Sequence, residues 1–456
     1  MSNLNDQRPE AQANLPRRSF LKTSVLAAGA LTQAPFVITT HAENDDPIRI
    51  GLIGCGGRGT GALLDALGVE THVVYPSKGY HTEDVAEGAR STRKNVKVVA
   101  LCDLFPDRLN RCRQQLRKLK IEVPDEHCFT GFDGYKKLLA IPEINYVIQA
   151  TPPHFRPEHA LAAIHAGKNI FIEKPAAVDP VGVRKIMEAG RLAKEKNLGI
   201  VAGTQRRHQA GYVEQMKRIH DGDIGEIMYA HVYWNGGTVW VVEREPGWTD
   251  MEWQLRNWNY FTWLGGDHIV EQHVHNLDIA NWALQAHPIK AHAMGGRLAR
   301  KHPIHGHIYD HFAVSFEYPN GVMVFSQCRQ MNGTEGKVEE HIVGTKGRAS
   351  ASFRINYIRY RQGRPWRFDK RKETNPYKQE HTDFINSIRA GQPLNEAQAV
   401  AESTLTGIMG RESAYSGQTI EWEQVLNSNL RLGPEKYEFG PLPFPPVAIP
   451  GEYKFI

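Results

Sequence analysis

The chain has 456 residues, of which 41% are hydrophobic and 23% charged, a balance that excludes a disordered or coiled-coil protein and suits two or three folded units. Lys and Arg number 55 against 50 Asp and Glu, a formal charge of +5 without a basic block, so no nucleic-acid footprint is expected. Five cysteines, none in a CxxC pair, exclude a disulfide scaffold and a thiolate zinc site.

Residues 1–42 have the pattern of a targeting leader. Arg17-Arg18, followed by Phe20-Leu21-Lys22, precedes a weakly apolar run over 25–31, and His41-Ala42 offers a small-residue cleavage site. The segment resembles a twin-arginine (Tat) export signal. Its apolar run falls far short of the roughly 20 residues that span a bilayer, and no cysteine follows for lipid attachment. The expectation is an exported, periplasmic protein that engages the Tat machinery and has no stable membrane anchor. Tat export carries folded cargo, which suits a protein that takes up a soluble cofactor before leaving the cytoplasm.

A strand-length apolar run over 48–53 leads into Gly54-Cys55-Gly56-Gly57-Arg58-Gly59 and then a helical stretch over 60–67. This is G-x-G-x-x-G between strand and helix. Gly54 permits the tight turn, Gly56 lets backbone amides approach a pyrophosphate, and Gly59 lets the helix pack closely on the strand. The unpaired N–H groups of the helix then face the phosphates. Residues 68–95, polar and rich in turn formers, look like an insertion before the next strand, 96–102, which ends at Asp103. A carboxylate there can accept the hydroxyls of an adenosine ribose and repel a 2′-phosphate, favouring NAD over NADP; the alternative is a helix N-cap ahead of Pro106. Strands at 146–150 and 169–172 end at Thr151-Pro152-Pro153-His154 and Glu173-Lys174-Pro175. Alternation of strand and helix from 48 to 202 predicts a doubly wound parallel sheet, an α/β Rossmann fold. Ligands sit at the carboxyl ends of such strands, so Thr151, Pro152, His154, Glu173 and Lys174 are expected to line the cofactor cleft. The predicted units are a dinucleotide domain over 47–174, an α+β substrate and oligomerisation domain over 175–432, and a Pro-rich arm over 433–456. Prolines exclude helix and central strand from the arm, which should lie extended on the protein or on a neighbouring subunit.

Taken together, the glycine turn, Ala150-Thr151-Pro152-Pro153, the Glu173-Lys174-Pro175 triplet and the run from Gly265 to Asp278 resemble the Gfo/Idh/MocA oxidoreductases. The segment Tyr377–Phe384 with Ile388-Arg389-Ala390-Gly391 is similar to that family's closing helix. The resemblance implies a second domain on a large, open, mostly antiparallel sheet that bears the substrate site and often the oligomer contact. Period-two alternation over 227–233 and 311–318 is compatible with it. It further implies a catalytic lysine at Lys174 and an active-site histidine at His275. Family members commonly carry Asp four residues before that histidine; this chain has Glu271.

On one continuous helix, His268, Glu271 and His275 would share a face, with His273 pointing away. Two roles stay open: His275 as general base oriented by Glu271, or Glu271 and His275, with His268, as ligands of a divalent metal such as zinc. As base, His275 would take the hydroxyl proton as hydride leaves carbon for the nicotinamide, and Lys174 would stabilise the developing alkoxide. Arg156, Gln205, Arg206, His268 and Trp240 are candidate substrate contacts, with Trp234 and Trp248 as further indoles able to face a sugar ring. The expected function is NAD-dependent oxidation of a secondary alcohol in a sugar or glycoside, at ring C3, with tightly held nicotinamide, in a homo-oligomer. The alternatives are a glycosidase or lyase working by redox-neutral oxidation, elimination and re-reduction, and a non-catalytic sugar-binding protein.

Overall fold

The computed structural model describes residues 45–74 and 82–455; the leader expected over 1–42 lies outside them. Eight strands precede residue 203: β1 (Ile48–Ile53), β2 (Thr71–Val74), β3 (Thr82–Val85), β4 (Val96–Asp103), β5 (Cys128–Thr130), β6 (Tyr146–Gln149), β7 (Asn169–Ile172) and β8 (Ile200–Ala202). Six form a parallel sheet in the order β5-β4-β1-β6-β7-β8. The order reverses between β1 and β6, which opens a crevice at their carboxyl ends. The sixth strand lies beyond Lys174, the residue at which the sequence divides into units. Ile50, Leu52, Val147, Ile148, Ile170, Phe171 and Ile172 are all fully buried, as a parallel sheet covered on both faces requires. Each such side chain contributes about 1.5–3 kcal/mol of burial. The insertion over 68–95 contains a hairpin, β2 against β3, packed beside the helix Gly57–Ala66.

Nine strands make the second sheet: β9 (Ile227–Gly236), β10 (Lys290–Gly296), β11 (His311–Glu317), β12 (Met323–Gln330), β13 (Lys337–Gly344), β14 (Gly347–Ala351), β15 (Asn356–Tyr360), β16 (Trp366–Arg367) and β17 (Ile420–Glu421). The order is β16-β15-β14-β13-β9-β12-β11-β10-β17, and only the β9–β12 pairing is parallel. This is the large, mostly antiparallel sheet expected. Alternation sets one face inward: Ala230, Val232, Val314, Phe316, Val324 and Ile342 pack beneath the helices Val274–Leu284 and Ala397–Ser416. Tyr229, Met294 and Phe325 remain exposed. After the helix Trp422–Asn427 the described chain has neither helix nor strand. It lies on its own protomer: Phe444 packs on Trp253 and Phe261, and Tyr453 Oη donates to Glu412 Oε2 at 2.7 Å. Among the described residues no helix is long and apolar enough to cross a membrane.

Candidate active site

A cleft of about 490 Å³ opens where the strand ends of the first sheet face residues from the second lobe. Its first wall starts with the glycine turn. Gly54 has φ 96°, and a Cβ there would lie 2.8 Å from the Ala150 carbonyl carbon. A Cβ on Gly59 would lie 1.8 Å from the Gly54 carbonyl oxygen, so helix and strand approach each other only because both residues are glycine. Gly56 caps the helix Gly57–Ala66 with no side-chain bond to its first amides and no acidic residue in its first turn. Those N–H groups are left for an anion.

Asp103 stands at the end of β4 and lines the same wall. Its carboxylate accepts Cys55 N–H at 2.6 Å and Phe105 N–H at 2.8 Å, which leaves part of its acceptor capacity for ribose hydroxyls. Burial pushes its pKa up against the pull of Arg108 and those two bonds. An uncapped helix N-terminus beside a glycine cradle, with a carboxylate on the next strand, fits a dinucleotide. Thr151, Pro152 and Glu173 also face the cleft. Arg58 does so as the hub of an ion network, 2.8 Å from Glu173, 3.1 Å from Asp65 and 3.2 Å from Glu83, with its guanidinium over the Tyr377 ring. Two expected cofactor residues are placed behind the wall instead. Cys55 is turned inward and buried, and His154 stacks edge-on against Trp263 while its Nε2 meets Tyr437 Oη at 2.8 Å.

The second wall brings Glu271, Gln272, His275, Trp234 and Trp240 across from Lys174. The Lys174 ammonium donates to the Glu271 carbonyl oxygen at 2.7 Å and to Glu271 Oε1 at 3.0 Å. Glu271 therefore fixes the lysine and not the imidazole, contrary to the expected pairing with His275. Glu271 Oε2 is buried without a partner. His275 lies with its ring against Trp234, centroids 5.7 Å apart and 22° between planes. Neither of its ring nitrogens has a hydrogen-bond partner among the described residues. Burial, then the Lys174 and Arg206 cations, hold its pKa well below the ordinary histidine value. The imidazole is therefore neutral at physiological pH.

The shared helix face does not form. The carbonyl of His268 accepts both Gln272 N–H at 3.0 Å and His273 N–H at 3.1 Å, and the chain breaks into the short helix His268–Glu271 and the helix Val274–Leu284. The wide turn adds a residue to the helical count and rotates the second helix relative to the first, so regular spacing misassigns the faces. His268 is fully buried off the cleft against Phe312, with Nδ1 3.1 Å from Asp267 Oδ1. It is neither a substrate contact nor a partner for Glu271 and His275. The zinc reading fails on the same geometry. Glu271 is engaged by an ammonium, His268 by a carboxylate, and no group of three His, Cys, Asp or Glu among the described residues is placed to hold a metal ion. Asp267, at φ 70°, pins this segment by accepting Tyr309 N–H at 2.8 Å and Tyr415 Oη at 2.6 Å.

Of the two expected arginine contacts, one faces the cleft and one is committed elsewhere. Arg156 lines the cleft, and its Nε and Nη1 reach Thr151 O and Glu173 O at 2.9 Å and Pro175 O at 2.6 Å, which clamps the two loops that carry the site. Arg206 is buried in an ion pair with Glu340, whose carboxylate also accepts from Tyr212 and Asn276. Gln205 and Trp240 do face the cleft. Gln205 donates to Tyr377 Oη at 3.3 Å and keeps a buried Oε1 unpartnered. Trp248 lies under Arg256, off the site. The sequence singled out no role for Gln272, Trp258, Tyr377, Phe105, Phe132 or Phe155, which all line the cleft. The phenylalanines follow β4, β5 and the loop after β6, and the strand-end rule could have found them; Tyr377 carries no local signal.

Comparison with known proteins agrees with this geometry. The family model "Oxidoreductase family, NAD-binding Rossmann fold" matches residues 77–203, and "GFO/IDH/MocA C-terminal domain" matches 212–350. An uncharacterised oxidoreductase of Streptococcus pneumoniae is 27% identical over 237 residues, 52% of this chain and 57% of that protein. The inositol 2-dehydrogenase of Pseudomonas fluorescens strain Pf-5 is 28% identical over 252 residues, 54% of this chain and 65% of that protein. The inositol 2-dehydrogenase of Salmonella typhimurium is 30% identical over 150 residues, 33% of this chain and 41% of that protein. The chain thus spans about half the length of these curated relatives. Among solved structures, scyllo-inositol dehydrogenase from Lactobacillus casei with bound NAD(H) and scyllo-inositol superposes with a TM-score of 0.60 at 18% identity, over 83% of this chain and 100% of that one. Aldose-aldose oxidoreductase from Caulobacter crescentus gives 0.61 at 16%, over 82% and 99%. At such identity the likeness is one of fold.

Proposed function

The chain belongs to the Gfo/Idh/MocA oxidoreductase family, and from that premise we propose that it oxidises a secondary alcohol of a sugar or glycoside, at ring C3, with NAD as hydride acceptor. The observation that carries the reading is the convergence of Lys174 and His275 on one cleft whose other end is the glycine turn. The turn, with Asp103, Thr151 and Glu173, would hold the dinucleotide, which supplies the hydride acceptor when bound.

The chain's own residues supply the rest. Lys174, oriented through its two bonds to Glu271, presents its remaining N–H to the reacting oxygen and stabilises negative charge as the hydroxyl proton departs. His275 lines the cleft with its imidazole unprotonated, and it takes that proton as hydride leaves carbon. Gln205 Oε1 and Glu271 Oε2, the unpartnered acceptors beside them, are available to neighbouring hydroxyls. Trp240 with Trp258, 5.7 Å apart, offers an apolar wall to the C–H face of a ring. The expected export supports a retained cofactor, reset by a second substrate, since free NAD is scarce outside the cytoplasm. The exposed Tyr229, Met294 and Phe325 on the outer face of the second sheet support a homo-oligomer, which sedimentation velocity checks.

Aryl glycosides and inositols incubated with the purified protein test the assignment. Reduction of nicotinamide without release of the aglycone is the predicted result. Aglycone release with no net reduction would replace it with the redox-neutral glycosidase, and neither event, despite tight sugar binding, would leave a binding protein.

A further inference from the structure

The segment after the last helix is pinned on both sides of a short arch. Leu432 N–H donates to Asp179 Oδ2 at 2.9 Å. Further on, Met251 N–H donates to Gly440 O at 3.2 Å, Leu442 N–H to Asp250 Oδ2 at 3.0 Å, and Gln254 Nε2 to Leu442 O at 2.5 Å. Between these pins residues 433–439 cross to the strand-end loops of the first sheet. The Tyr437 ring packs against Phe132 at 5.9 Å and Phe155 at 5.5 Å, and its hydroxyl meets His154 Nε2 at 2.8 Å. Phe439 packs against Phe105 at 6.1 Å and Phe132 at 5.5 Å.

Phe105, Phe132 and Phe155 also line the cleft, and Phe105 stands two residues after Asp103, at the end where the adenosine ribose would lie. The wall on that side is therefore two rings thick, with the cleft on its inner surface and the arm on its outer one. A clamp from the second lobe continues it: the Arg256 guanidinium lies 3.9 Å above the Phe105 ring and 3.1 Å from Asp107. Three loops that would otherwise end at the surface are held in place by segments more than a hundred residues away in sequence.

We propose that residues 433–442 belong to the dinucleotide site as its outer wall, with Tyr437 and Phe439 as positioning residues that hold Phe105, Phe132 and Phe155 against the adenosine end. The inference rests on the cleft being a dinucleotide site. Its consequence is slow release: NAD becomes a retained group and not a diffusing co-substrate, because leaving requires the aromatic wall to part from the arm.

The test uses the full-length protein and reads release of NADH by loss of nicotinamide fluorescence on a chase with excess NAD, together with nucleotide carried through gel filtration. The variants are the double substitution Tyr437→Ala/Phe439→Ala, Tyr437→Phe, which keeps the ring, and Tyr453→Phe, which removes an arm contact far from the wall. The double variant should release NADH at least tenfold faster and leave the column depleted of nucleotide, while Tyr437→Phe and Tyr453→Phe behave as wild type. If the double variant does not fold, Phe439→Ala alone carries the same comparison. Release at the wild-type rate from a folded variant, or equal acceleration in Tyr453→Phe, overturns the role of the arm and leaves the cleft's assignment standing. Failure of the wild-type protein to bind NADH at all removes the assignment beneath it.

Discussion

The two walls of the cleft are built from different materials. The first is made largely of backbone: a glycine turn, an uncapped helix N-terminus and strand-end loops that Arg156 ties together through three carbonyl oxygens. The second is made of side chains, Glu271, His275 and Trp234, delivered by a broken helix and a strand of the other sheet. At the glycine turn the first wall tolerates no added atom, whereas the second depends on the identity of a few polar and aromatic side chains. Substitutions should therefore fail in different ways on the two sides.

The largest effect is expected on the first wall. Gly59→Val would put carbon within 1.8 Å of a backbone oxygen that cannot move without breaking the turn, so the variant should lose both retained nucleotide and melting temperature. A Gly59→Val protein that keeps both would show the wall to be softer than described. On the boundary between the walls, Lys174→Ala should lower kcat by about 10²–10⁴-fold while nucleotide content stays at the wild-type level. Loss of nucleotide in step with kcat would make Lys174 a binding residue and erase the distinction.

The effect of pH separates chemistry from stability. Because the folded pKa of His275 is depressed, the base stays unprotonated as pH falls through about 6.5, and kcat/KM should show no acid limb there. Stability behaves otherwise. His154, His159 and His273 are pushed down to about 3 and His307 to about 4 by burial, so the unfolded chain binds protons that the folded one refuses. Their stabilising effect is complete above pH 6.5 and is lost as pH falls from there towards 3–4, by up to about 1.4 kcal/mol per pH unit for each histidine. His208, raised to about 10 by Glu396 and Asp383 against burial, has the opposite sign and loses its contribution as pH rises from about 6.5 towards 10. Melting curves between pH 4 and 8 should fall on the acid side while kcat/KM holds level; parallel loss of both would contradict the placement of His275. The smallest effect is expected from Trp240→Ala, a rise in KM of about threefold with kcat unchanged, as loss of uniform binding requires.

The same contrast decides what the sequence discloses. Glycines at 54, 56 and 59, Asp103 and Lys174 are legible because strand, turn and helix succeed one another locally and put their ends together by rule. His275 is legible through resemblance, yet its neighbours are not. The doubled bond at the His268 carbonyl shifts the helical count, which separates His268 from the site, and Glu271 turns to Lys174 from a lobe 97 residues away. Arg206 and Arg156 have the charge of ligand-binding residues but are claimed by Glu340 and by backbone oxygens. Tertiary pairing of that kind leaves no periodic trace. The arm over 433–456 is legible as extended chain from its prolines, whereas its seat on Phe132 and Phe155 is not.

The most direct test of the central claim is a single turnover with the nucleotide the protein is predicted to carry, following the ultraviolet band of reduced nicotinamide on mixing with a glycoside or inositol deuterated at the carbinol carbon. The predicted result is reduction of bound nucleotide by the wild-type protein, slowed by deuterium, and its near abolition in Lys174→Ala that still carries the same nucleotide. Reduction by Lys174→Ala at the wild-type rate, or a wild-type protein from which denaturation releases no nicotinamide nucleotide, would contradict it.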